Sequence, residues 1–182
     1  MTLHILIAES SLESRQATAK YFSSRSDILI DYAASFAEAK QKLDGQDTDK
    51  SRGRVYAFAI FNNELSVKTG LHPKKLGSTL ADIAAADCLD YAMLSIEHKQ
   101  GKQEVYAKYC WAPDYWRYLG ISLSDSHVWK QLYETLEIHH TPESLENMLF
   151  CRKLVKKCNM QPTNMMLKSY KYNNITSKAK NL

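Results

Sequence analysis

Short apolar runs alternate with stretches of helical periodicity through the first 138 residues. LHILIA (3–8) is apolar but for His4, and SLESRQATAKYF after it spaces Leu12, Ala19 and Phe22 along one helical face, with Ser10 or Ser11 as N-cap. DILIDYAAS (27–35) repeats the strand signal, and SFAEAKQKL repeats the helical one, with Ser35 ahead of Phe36, Ala39 and Leu43. The polar, Gly-containing DGQDTDKSRGR (44–54) predicts a surface loop. VYAFAIF (55–61) is apolar at every position, as strands covered on both faces tend to be.

The second half continues the alternation. PKKLGSTLADIAAADC (73–88) predicts a helix with Leu76, Leu80, Ile83 and Ala84 as its stripe, and LDYAMLSI (89–96) a fourth strand. KQEVYAKYCWA (102–112) reads as a helix, YWRYLGI (115–121) as a fifth strand and DSHVWKQLYETLEI (125–138) as a closing helix. Five strand–helix units predict an α/β domain over 1–138 with a five-stranded parallel, doubly wound sheet. Residues 139–182 then form a basic helical extension or tail.

Composition adds two constraints. An apolar share of 45% in 182 residues supports a core, and the longest apolar run, Val55 to Phe61, is far short of the about 20 residues that cross a bilayer. MTLHILIAESS lacks the basic start of a signal peptide, so the expectation is a cytoplasmic chain with no membrane association. Cys88, Cys110, Cys151 and Cys158 form no C-x-x-C pair and read as reduced structural thiols. Charge is divided unevenly: residues 151–182 hold eight Lys or Arg and no acid, which leaves residues 1–150 at −4 within a net charge of +4.

The opening ILIAES and the second unit DYAASFAEAKQKL, set in five β-α units, resemble the receiver domain of bacterial response regulators. That resemblance implies a flavodoxin-like sheet of strand order 2-1-3-4-5 with its site at the carboxyl ends of the strands. It also implies where the phosphorylation machinery would stand. Glu9 and Ser10 occupy the place of the acidic pair, Asn62 that of the phosphate-accepting aspartate with Asn63 beside it, Ser95 that of the hydroxyl, and Tyr118 or Leu119 that of the lysine. An amide cannot form an acyl phosphate, because the attacking group must be an ionised carboxylate oxygen. With one carboxylate left, the set is short of oxygen ligands for magnesium. The resemblance therefore implies a degenerate site and a signalling protein that is not an enzyme and needs no cofactor. A polar turn after a buried strand is the plainer account of Asn62 and Asn63.

All three tryptophans lie between 111 and 129. Trp111, Tyr115, Trp116, Trp129 and Tyr133, near the face that receiver domains use for pairing, are candidates for a contact with a protein partner or a second copy, or alternatively for core. Beyond 138, TPESLENMLFCRKLVKKC has Thr141 as N-cap, Pro142 in the first turn and Leu145, Met148, Leu149, Val155 and Cys158 as its apolar face. KKCNMQPTNMMLKSYKYN after it resembles the Fis-like helix-turn-helix modules that end some response regulators. In that alignment Thr163, Asn164 and Lys168 face a DNA groove, Lys156, Lys157 and Lys171 are available to phosphates, and Pro162 departs from the pattern. A disordered or docking tail accounts for the same charges.

Residues 80–129 also resemble the early part of a LuxR-type autoinducer-binding domain, on which Trp111, Tyr115, Trp116 and Asp125 would line a small-molecule pocket. This leaves a sensor, or a plain DNA-binding regulator, as alternatives to a regulator working by protein contact. His139 and His140 diverge by about 100° on a helix and make no metal site there. No phosphate-binding glycine loop, nucleophile elbow or H-E-x-x-H is present.

Overall fold

A computed structural model describes residues 3–44, 56–87 and 89–139. Of the predicted loop 44–54 all but Asp44, and of the predicted extension 139–182 all but His139, lie outside the described residues, as do the DNA-contact candidates Lys156, Lys157, Thr163, Asn164, Lys168 and Lys171. The elements run β1 (Leu3–Ala8), α1 (Leu12–Phe22), β2 (Ile28–Ala33), α2 (Phe36–Asp44), β3 (Phe58–Asn62), β4 (Glu64–Ser66), β5 (Pro73–Lys75), α3 (Gly77–Ala86), β6 (Asp90–Lys99), β7 (Lys102–Tyr109), β8 (Arg117–Gly120) and α4 (Ser126–His139).

The central sheet has the order β2-β1-β3-β6-β7-β8, and β4 and β5 form a separate two-stranded ribbon. β2, β1, β3 and β6 are parallel, β7 is antiparallel to β6, and β8 is antiparallel to β7. The domain is therefore α/β with a mostly parallel sheet of six strands, and the expectation of five parallel strands is corrected. β8 runs in the same direction as β6 but lies one strand further out.

The correction falls on 102–112, expected as a helix. Gln100 and Gly101 both take positive φ, 51° and 76°, and so make the two-residue reversal whose twist suits a hairpin. β7 then alternates: Val105, Ala107 and Tyr109 are buried, while Glu104, Tyr106 and Lys108 between them are half-buried. That period of two belongs to a strand.

Two cores flank the sheet. On one face Ile5, Ile7, Phe58, Ile60, Leu94, Val105 and Leu119 meet Phe22 of α1 and Val128, Trp129, Leu132 and Tyr133 of α4. On the other Leu6, Ala8, Ala59 and Phe61 meet Ala39 and Leu43 of α2 and Leu80, Ala81 and Ala84 of α3. β1 and β3 are thus covered on both sides, which is why they carry unbroken apolar runs.

α2 starts as its sequence indicates: Ser35 Oγ accepts Glu38 N at 3.3 Å, and the Glu38 carboxylate accepts Ala34 N at 2.8 Å. α1 turns a different side inward from the one its leucine suggested. Leu12 is 61% exposed and Ala19 is exposed, whereas Ser14, Thr18 and Phe22 are buried. Thr18 Oγ1 donates to Ser14 O at 2.7 Å, which lets this polar pair sit inward without an unmet hydrogen bond. The helix expected from residue 73 starts at Gly77, because Pro73–Lys75 pair with Glu64–Ser66. Among the described residues no helix is long and apolar enough to cross a membrane.

Candidate functional site

At the carboxyl ends of β1 and β3 the pleat that points Ile5, Ile7, Phe58 and Ile60 to one core also brings Glu9 and Asn62 to the same side. Asn62 Nδ2 donates to Glu9 Oε2 at 2.8 Å, and both residues are buried, 3% and 4% exposed. The other Glu9 oxygen accepts Ser11 N at 2.6 Å, and Asn62 Oδ1 accepts Glu64 N at 3.0 Å. Every polar atom of the amide–carboxylate pair that faces the loops therefore has a named use. Burial raises the Glu9 pKa above the ordinary carboxylate range, opposed by the Ser11 amide, the Asn62 side chain and the charge of Arg15.

The surrounding loops are tied to this pair. Arg15 Nη1 donates to Glu9 O at 2.6 Å and to Ser10 O at 2.9 Å, so one guanidinium pins the turn from β1 into α1. Ser10 Oγ accepts Ser66 N at 2.9 Å, and Ser66 Oγ donates to Leu71 O at 2.6 Å, linking that turn to the β4–β5 ribbon. The ribbon reaches α2 through Ala37 N to Val67 O at 3.2 Å and through Thr69 Oγ1, which donates to Glu38 Oε1 at 3.0 Å. Glu38 is held below the ordinary carboxylate range, first by the Ala34 amide and then by Thr69, Arg15 and Lys42.

Asn63 serves through its backbone. Its N–H donates to Leu94 O at 2.7 Å, and its carbonyl accepts Leu76 N at 2.9 Å and Gly77 N at 3.1 Å. α3 starts so close to this turn that a Cβ on Gly77 would lie 2.6 Å from Asn63 Cα and 2.7 Å from Asn62 O. Only glycine fits that approach.

The five residues assigned from the receiver pattern divide into two groups. Glu9, Ser10 and Asn62 come together. Ser95 is half-buried and pairs with Tyr106; the alternation along β6 turns it away from the face of Leu94, hence from that of Glu9 and Asn62. Tyr118 is separated from β6 by β7 and lies against Tyr106, ring centroids 5.7 Å apart. The inserted strand is the physical reason that Tyr118 does not reach the site. Arg15 and Ser66, which the sequence pattern did not single out, hold the site's walls, and Ser11, one of the two serines expected as N-cap, caps α1 by accepting Ser14 N at 3.2 Å.

The aromatic candidates also divide. Trp129 is fully buried with Nε1 donating to Leu123 O at 2.6 Å, and Tyr133 is 4% exposed, so both are core and present no surface. Trp111 stacks on Tyr109 at 5.0 Å and packs against Phe58. Tyr115 and Trp116 face solvent, 67% and 37% exposed, and Lys108 Nζ lies 5.2 Å over the Trp116 ring. Asp125, the acidic member of the sensor pattern, accepts His127 N at 2.9 Å and caps α4. Among the described residues no group of three His, Cys, Asp or Glu side chains is placed to hold a metal ion.

No protein-family model matches this chain, and neither the curated proteins nor the solved structures yield a match.

Proposed function

We propose that this chain is a receiver-like regulatory protein that works by protein contact and takes no phosphoryl group at Asn62. The observation that carries the reading is the buried Asn62–Glu9 hydrogen bond at 2.8 Å. An amide stands at the carboxyl end of the third strand, where a doubly wound sheet places its chemistry. The neighbouring carboxylate commits one oxygen to that amide and the other to Ser11 N. An ion or phosphoryl group would have to displace both bonds, and at position 62 it would find an amide in place of an ionised nucleophile. The order β2-β1-β3-β6 supports the doubly wound part of the comparison, and the hairpin after β6 is where this chain departs from it. Contact then falls to exposed Tyr115, Trp116 and Tyr118.

The test is intact-protein mass spectrometry of the full chain after incubation with acetyl phosphate and Mg²⁺, alongside circular dichroism with beryllofluoride. The expected result is unmodified mass and an unchanged spectrum. A stable phosphoryl adduct mapped to residues 60–66 would overturn the reading. The contact half is tested by Trp116→Ala with Tyr118→Ala, which should weaken self-association or partner capture at least tenfold with the melting temperature unchanged.

A further inference from the structure

A strand-to-helix connection in an α/β unit ordinarily takes about 2–6 residues. Here residues 63–76 separate β3 from α3, and within them β4 and β5 pair as a ribbon at the carboxyl end of the sheet. The ribbon is tied down at several points. Leu65 is buried in the core beside α2 and α3, and Leu71 N donates to Lys68 O at 3.1 Å to close the 68–71 turn. The bonds of Ser66 to Ser10 and Leu71, of Ala37 to Val67 and of Thr69 to Glu38 fix that turn to α2 and to the loop before α1.

What this anchored ribbon presents outward is cationic and apolar. Across 64–75 the sequence holds three lysines and one acid, Glu64, which stands opposite Lys75 in the ribbon register. Lys68, Lys74 and Lys75 are exposed, as is His72, and none of the three lysines has an ion pair among the described residues. Glu38 lies nearby with its oxygens taken up by Ala34 N and Thr69. Leu71, between the lysines, is 56% exposed, and Leu12, two residues beyond the Ser10 that bonds the ribbon, is exposed on the same rim. A lone exposed leucine is ordinary. A leucine fixed on a hydrogen-bonded turn among unpaired cations offers a partner both charge and apolar area.

We propose that the β4–β5 ribbon is a docking surface for an acidic segment of a partner protein, one that sets carboxylates against Lys68, Lys74 and Lys75 and an apolar side chain on Leu71. Charge complementarity selects the occupant. An acidic segment supplies the counter-charge that this chain does not place beside the three lysines. The −4 of residues 1–150 as a whole is screened beyond about 8 Å at physiological salt, so the local cations decide the encounter. Apolar exposure then selects among anions. A nucleic-acid backbone would engage the lysines and leave Leu71 and Leu12 in water, whereas an acidic segment that also carries apolar side chains covers both.

The ribbon lies at the opposite end of the sheet from Tyr115 and Trp116, which precede β8, and the inference does not rest on the receiver reading. It is tested by fluorescence anisotropy of a labelled peptide of alternating Glu and Leu, titrated with the full chain. The cations of residues 151–182 attract any acidic probe, so the deciding comparison is between the parent and Lys68→Glu/Lys74→Glu. That pair should weaken binding by about tenfold or more with the melting temperature unchanged, and Leu71→Ser by about threefold. Trp116→Ala/Tyr118→Ala should leave the affinity as it is. A peptide of alternating Glu and Ser should bind the parent about threefold less tightly than the Glu–Leu peptide. No binding by the parent, equal affinities of parent and lysine variant, or equal affinities for the two peptides would overturn the proposal. Duplex DNA that binds as tightly as the Glu–Leu peptide and is lost on the same lysine variant would also overturn it and put nucleic acid on the ribbon.

Discussion

Replacing Asn62 by aspartate sets two carboxylates where an amide donor now faces one. With the oxygens 2.8 Å apart, two full charges would repel by roughly 6 kcal/mol at an effective dielectric of 20. Retaining one proton on the pair costs less. Near pH 4 the protonated carboxyl introduced at position 62 donates to Glu9 much as the amide does, and stability should match that of the parent. As pH rises the native pair keeps a proton that the unfolded chain releases, so stability falls by about 1.4 kcal/mol per pH unit. From an ordinary carboxylate pKa near 4.3 to pH 7 this accumulates to about 4 kcal/mol. The double variant Glu9→Gln/Asn62→Asp tests the geometry further. The amide oxygen introduced at position 9 would accept Ser11 N, and the amide nitrogen would donate to the new carboxylate at position 62. The second oxygen of that carboxylate would accept Glu64 N, so each present bond has an equivalent. The double variant should lie within about 1 kcal/mol of the parent, with the steep pH slope gone. Urea unfolding at pH 4.5, 6 and 7.5 measures all of this. A flat pH profile for Asn62→Asp, or a double variant as unstable as the single, would refute the reasoning.

Gly77→Ala drives a methyl into the backbone of Asn62 and Asn63 and should cost about 1–3 kcal/mol by thermal or urea unfolding. Trp129→Ala should cost about 3–5 kcal/mol, because it empties a fully buried site, whereas Trp116→Ala should stay within about 0.5 kcal/mol. Gly101→Val, at φ 76°, should cost about 1–2 kcal/mol and raise amide exchange first in β6 and β7. Glu38 and Glu9 should titrate in opposite senses. The Glu38 contribution is present above the ordinary carboxylate range and is lost as pH falls through its lowered pKa. The burial penalty on Glu9 grows as pH rises from that range through its raised pKa. Side-chain carboxyl NMR of the two residues distinguishes them.

The strands covered on both faces were legible because burial on two sides leaves an unbroken apolar run, as in LHILIA and AFAIF. β7 was not, and the reason is specific. Val105, Tyr109 and Ala112 satisfy helical spacing as well as Val105, Ala107 and Tyr109 satisfy a strand, and only the Gln100–Gly101 reversal separates the two. α1 misled because Ser14 and Thr18, satisfied within the helix, took the inward side from Leu12. At the site, Glu9 and Asn62 were legible from the ends of their strands. Arg15 and Ser66 were not, since they act on backbone groups that only the folded turns bring within reach.

The two-residue joint between β6 and β7 also changes how the sheet is assembled in time. Four of its strands are joined through distant crossovers whose closure entropy must be met before pairing rewards it, while β6 and β7 zip together from neighbouring residues, an event of microseconds. Among the strand pairings of the described residues, that of β6 with β7 therefore closes the shortest loop and costs the chain the least entropy to form.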